Sequence, residues 1–274
     1  MSDDIPIPVP KDYGFTIGQQ TQVSHGSLEV GFDTGANEYW YRLESAALRR
    51  YLDFVAVCSE EVWLYFTESG IFTRAVDNSF VAMAEVSFHG TDTTDEVIGV
   101  VGVDVKDLVN CIDKDEKHIT LVPQHEFSEL LVVNDNCMTT LKAYDEEPVT
   151  PKTPELDLTT FTTIGSIQFD KACKRMKSVG DDYVIRTTEG GRVKLICKSG
   201  SITREYNLSD TYAGDPARAQ YSGQYLLGLC KAIPTTKNAA IDLLIEWEDD
   251  KPLMVTGKDD LVRWQYMLAP REEY

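Results

Sequence analysis

Residues 169–180 read FDKACKRMKSVG. Phe169, Ala172, Cys173 and Met176 recur at i, i+3, i+4 and i+7, the spacing that gathers four apolar side chains on one face of an amphipathic helix. Lys171, Lys174, Arg175 and Lys177 fall outside that stripe. The same stripe occurs three more times: Leu48, Tyr51, Leu52 and Val55; Val105, Leu108, Val109 and Ile112; and Leu226, Cys230 and Ile233, with Leu229. The first pair of stripes begins at Leu48 and Val105 and the second at Phe169 and Leu226, a spacing of 57 positions in both cases. A recurrence of this kind marks an internal repeat, here one unit used four times in two pairs.

Between the helical stripes lie short β-branched or alternating runs separated by turn residues, the pattern of antiparallel hairpins. VWLYFTESGIFTRAV turns at Glu68-Ser69-Gly70 and YVIRTTEGGRVKLIC at Glu189-Gly190-Gly191. Each hairpin is followed by a further strand, VAMAEVSF in the first half and ITREYNL in the second. The repeating unit is therefore strand, helix and several antiparallel strands, and the fold class is α+β. Residues 142–158, KAYDEEPVTPKTPELDL, carry Pro148, Pro151 and Pro154, which exclude a regular helix or an interior strand. This divides the chain into a first domain at 41–141, a connecting loop at 142–158 and a second domain at 159–274. Residues 1–40 are rich in Pro, Gly and polar residues, with SLEVGF the one strand-like run, and read as an N-terminal extension.

The chain has 274 residues, 42% of them hydrophobic, enough for an ordinary globular core. Its formal net charge is -19, which argues against general adhesion to nucleic acid or anionic membrane and makes the local basic run at 171–177 conspicuous. The six cysteines, 58, 111, 137, 173, 197 and 230, include no CxxC pair, and the four histidines show no HExxH spacing, so no metal or redox site is expected and the thiols are expected to be reduced. No GxSxG string or phosphate-binding glycine loop is present, and no cofactor is expected. The N-terminus lacks the basic and apolar regions of a signal peptide, and no apolar run reaches membrane-spanning length; the expected location is intracellular, with the cytoplasm or nucleoid.

Several strings, in this order, resemble the sliding clamps of the proliferating cell nuclear antigen (PCNA) family, especially its archaeal members. They are GIFTRAVDNSFVAMAEVSF, VIGVVGVDVKDLVNCI, the TPELDL that ends the connecting loop, and the closing WQYMLAPREEY, the most specific of the four. The resemblance covers residues 41–274. It implies a DNA clamp fold of two similar domains, three copies of which close into a ring with helices lining the hole and sheets outside. Such a ring encircles duplex DNA, performs no chemistry and tethers a DNA polymerase and other replication and repair proteins. An ATP-driven loader opens and closes it.

The resemblance also assigns roles. Arg49, Arg50, Lys106, Lys114, Lys171, Lys174, Arg175, Lys177 and Lys231 lie opposite the apolar stripes and would face the DNA phosphates, a contact blind to base sequence. Phe80, Tyr144, Pro148, Val149, Ala269 and Pro270 would form the pocket for a partner peptide. The ring would close through strand edges at Cys137, Met138, Thr139, Thr140 and Leu141 and at Ile202, Thr203, Arg204 and Tyr206. Two rival readings remain open at this level. One is a monomeric DNA-binding processivity factor of the same fold; the other is an aspartic protease using Asp33 of the string Asp33-Thr34-Gly35-Ala36, with VIG at 97–99 as a companion segment.

Overall fold

The computed structural model describes residues 23–25, 28–33, 38–88, 91, 93–113, 115–124, 126–135, 137–145, 153–236, 239–260 and 262–271. After two N-terminal strands, β1 (Val23–His25) and β2 (Leu28–Asp33), the chain runs four times through one strand, one helix and three strands. The first pass is β3 (Glu38–Glu44), α1 (Ser45–Val55), β4 (Glu61–Thr67), β5 (Ile71–Val76) and β6 (Ala82–Phe88). The second is β7 (Val97–Asp104), α2 (Val105–Asn110), β8 (His118–Gln124), β9 (Glu129–Val133) and β10 (Met138–Lys142). The third is β11 (Thr160–Gly165), α3 (Ser166–Met176), β12 (Asp182–Thr187), β13 (Val193–Ser199) and β14 (Ile202–Ser209). The fourth is β15 (Arg218–Ser222), α4 (Gly223–Ala232), β16 (Asp242–Trp247), β17 (Leu253–Lys258) and β18 (Val262–Leu268). Each of the four apolar stripes read from the sequence coincides with one helix and the residues beside it.

The chain divides into two compact units. The first comprises residues 1–52, 61–72 and 87–147, the second 53–60, 73–86 and 148–274. In the first unit, strands pair antiparallel in the order β1-β2-β3-β8-β9-β10, while β4 pairs with β7 and with the start of β5. Residues 28–33 of the N-terminal segment are thus built into a sheet, with Leu28 and Val30 buried and β2 laid along β3. In the second unit the orders are β11-β16-β17-β18 and β14-β13-β12-β15. The pairing pattern repeats between halves: β3 with β8 matches β11 with β16, and β4 with β7 matches β12 with β15.

Local chemistry explains the helix starts and the strand contacts. Asp104 caps α2 by accepting from the amides of Lys106 and Asp107 at 2.7 and 3.1 Å, two donors that have no partner inside the helix. Three of the four tryptophans lie over a glycine directly opposite them on the neighbouring strand: Trp40 over Gly31, Trp63 over Gly102 and Trp264 over Gly257. The missing Cβ leaves a flat slot for the indole ring. Trp264 is also stacked on Phe54 with ring centroids 4.4 Å apart, so its ring is held on both faces. The cores are apolar, with Tyr41, Tyr51, Leu64 and Phe66 fully buried in the first unit and Phe169, Leu226, Leu243 and Trp247 in the second.

Candidate nucleic-acid interface and docking loop

On α3 the sequence pattern becomes a physical face. Phe169, Ala172, Cys173 and Met176 are fully buried, while Lys171, Lys174, Arg175 and Lys177 are exposed. Burial of the stripe fixes the rotation of the helix, and its cations are left in solvent on the opposite side. Lys174 Nζ pairs with Asp170 at 2.9 Å, and this carboxylate raises the lysine pKa, holding it in the charged form. The Arg175 guanidinium lies 5.2 Å from the ring centroid of Tyr206, a cation–π contact that orients it. Arg204 reaches from β14 to the end of the same helix and donates from Nη1 to the Arg175 carbonyl at 2.7 Å and to Ser178 Oγ at 2.6 Å. It satisfies an end-of-helix carbonyl and adds a positive charge there. The neighbouring α4 packs against α3 and exposes Lys231 in its last turn.

The other expected DNA contacts are less alike than the spacing implied. Arg49 on α1 is half-buried and donates from Nη2 to the Ile112 carbonyl, which makes it a brace between α1 and the residues after α2. Arg50 on α1 is likewise half-buried. Lys106 is exposed on the short α2, beside Asp104 and Asp107. Lys114 lies outside the described residues.

The expected partner-peptide residues fall into three groups. Phe80 stands at the apex of the turn between β5 and β6, 71% exposed and with φ 55°, a backbone conformation that bulky residues avoid. Ala269 follows β18 and donates its amide to the Val81 carbonyl at 2.8 Å, bringing the C-terminal Ala269-Pro270 beside Phe80. Tyr144, 40% exposed, belongs to the first unit, where its ring lies 5.9 Å from that of Trp63. Pro148 and Val149 lie outside the described residues.

Below Phe80, Asp77 organises the turn. Its carboxylate accepts from the amides of Ser79, Val81 and Ala82 and from the hydroxyl of Tyr225. Burial alone would raise its pKa, but the hydrogen bonds from Tyr225, Ala82, Ser79 and Val81 together outweigh burial and hold the carboxyl below its ordinary value. The Asp-Asn-Ser string marks a turn in the sequence. The contribution of Tyr225 has no local signal, because it comes from 148 positions away.

The residues expected at the subunit edges sit on strands with one neighbour each. Met138, Thr139, Thr140 and Leu141 lie in β10, which ends its sheet beside β9, and Cys137 immediately precedes them. Ile202, Thr203, Arg204 and Tyr206 lie in β14, which ends its sheet beside β13, and Ile202 is 55% exposed. The strings behind the protease reading are strand segments: Asp33 closes β2 opposite Glu38, and Val97–Gly99 belong to β7, paired with β4. Thr34, Gly35 and Ala36 lie outside the described residues. All six cysteines are free thiols, and burial pushes the Cys58 thiol up to about 12. No group of three or more His, Cys, Asp or Glu able to hold a metal occurs among the described residues, and no described helix is long and apolar enough to cross a membrane.

No protein-family model matches the chain. Individual relatives do. A DNA polymerase sliding clamp of Methanothrix thermoacetophila is 27% identical over 245 residues, 84% of this chain and 97% of the relative. A DNA polymerase sliding clamp of Halobacterium salinarum is 26% identical over 237 residues, 82% of this chain and 94% of the relative. Among solved structures, the Archaeoglobus fulgidus PCNA bound to the C-terminal region of FEN-1 superposes with a TM-score of 0.75 at 21% identity, covering 86% of this chain and 99% of that one. The fourfold unit is therefore that of the DNA clamp fold, and the chain is similar to archaeal sliding clamps over nearly their whole length.

Proposed function

We propose that three copies of this chain close into a ring around duplex DNA, slide along it without reading sequence, and tether a DNA polymerase and other replication and repair proteins. The observation that carries this reading is the α3 face: four exposed cations opposite a fully buried stripe, in a chain of net charge -19. Phosphate contacts from such a face are insensitive to sequence and compatible with sliding, while the acidic remainder repels DNA from other surfaces. Lys171, Lys174, Arg175 and Lys177, with Lys231, are the leading DNA contacts in this reading, joined by Arg50 and Lys106; the Arg49 guanidinium is engaged with Ile112. The edges β10 and β14 supply unpaired backbone donors and acceptors, and head-to-tail pairing of one with the other between copies covers both.

Phe80 with Ala269-Pro270 is the docking surface for a partner's short helix with aliphatic and aromatic anchors. The ring is a tether and not an enzyme. It needs no cofactor and works in the compartment that holds the DNA. Primer extension on a circular primed template, with polymerase and an ATP-driven loader, tests the reading directly. Product length per binding event should rise several-fold when the clamp is added. An unchanged length, at a salt concentration where the assembly is intact, would overturn it.

A further inference from the structure

Phe80 is both exposed and held in a left-handed backbone conformation. A bulky residue keeps such a conformation only where its surroundings over-determine it. The loop supplies part of that constraint itself. Asp77 Oδ1 accepts from the amides of Val81 and Ala82 at 2.7 and 2.6 Å, Oδ2 accepts from the Ser79 amide at 3.1 Å, and the Asp77 amide donates to the Ala82 carbonyl at 3.0 Å. These bonds shape the turn but move with it, since both ends belong to residues 77–82. They do not fix where the turn points.

Bonds from other elements reach the turn on both sides of Phe80. After it, the Val81 carbonyl accepts from Ala269 at 2.8 Å. Before it, the Tyr225 hydroxyl on α4 donates to Asp77 Oδ2 at 2.6 Å. Tyr225 thus holds the carboxylate on which three amides of the turn converge. Because the acceptor is ionised, the bond is of the stronger, charge-assisted kind. Without it, the outside anchor that precedes Phe80 is gone while the apolar side of α4 is untouched.

We infer that Tyr225 is a positioning residue that aims Phe80 at the docking partner, so that α4 sets the geometry of the docking loop. This rests on the docking reading given above. The distinctive consequence is that Tyr225 affects a partner only through Phe80.

Tyr225→Phe, Phe80→Ala and the double variant of the full chain, titrated by fluorescence anisotropy with a synthetic peptide of the FEN-1 C-terminal region, measure this. Hydrogen exchange over residues 77–82 is followed in parallel. Tyr225→Phe should weaken peptide binding about tenfold, as expected for removal of a charge-assisted bond, and should speed exchange at Val81 and Ala82. In the Phe80→Ala background the same change should have no further effect on affinity. Equal affinity of wild type and Tyr225→Phe would overturn the inference, as would unchanged exchange, or a weakening that persists without Phe80. Failure of the wild-type protein to bind the peptide would overturn the docking reading and with it the partner role of Tyr225. That failure is told apart from failure of the anchor by the exchange data, which need no peptide.

Discussion

At the scale of the residue, glycine and carboxylate positions carry the sharpest expectations. A Cβ added at Gly257 would lie 2.3 Å from the Trp264 ring, and that ring cannot retreat because Phe54 stacks on it. Gly257→Ala should therefore destabilise the protein by about 1–3 kcal/mol, as overpacking does, read as a lower midpoint in urea. Asp77 makes a pH-dependent contribution. Its folded pKa lies below the ordinary 3.8, so its stabilisation is present above that value and is lost as pH falls through the lower, folded one. The stability gap between wild type and Asp77→Asn should be about 1–3 kcal/mol near neutral pH, the cost of disturbing a buried charged acceptor, and should close in acid. A gap that stayed constant as the protein is acidified until Asp77 is protonated would show that the charge of Asp77 is immaterial. The turn around Asp77 was visible in the Asp-Asn-Ser string, whereas the Trp–Gly slots were not, since they depend on strand register.

At the scale of the element, the helix α3 was legible because its periodicity is local: four apolar residues at helical spacing determine which side is buried and hence which side is basic. Ala at Lys171, Lys174 and Arg175 together should flatten the slope of log K against log salt for duplex DNA by up to about 3, roughly one unit for each phosphate left without its cation. Filter binding between low and moderate salt measures the slope, and an unchanged slope would remove α3 from the interface. The same reasoning served α1 less well. Its stripe is buried as expected, but Arg49 at the margin of the stripe finds a backbone acceptor in Ile112, a residue 63 positions away. A residue's angle on a helix can be read from sequence; what waits for it there cannot.

At the scale of the whole molecule, the edges β10 and β14 predict assembly. Light scattering should give about three times the 30.8 kDa of one chain, and a stable monomer at high concentration would favour the monomeric processivity factor instead. The sequence alone determined the repeat, the α+β class, the four amphipathic helices and the clamp resemblance, because these follow from short-range spacing and from strings a few residues long. The resemblance offered Phe80 and Ala269-Pro270 as the proposed docking residues, but nothing in the sequence said how they are held together. Only the tertiary structure decided that Val81 bonds Ala269, that Tyr225 anchors Asp77, that Arg204 closes the end of α3, and that β2 extends a sheet along β3. Each of these joins groups separated along the chain, and whether two such groups meet depends on strand register and helix packing, which no local window of sequence contains.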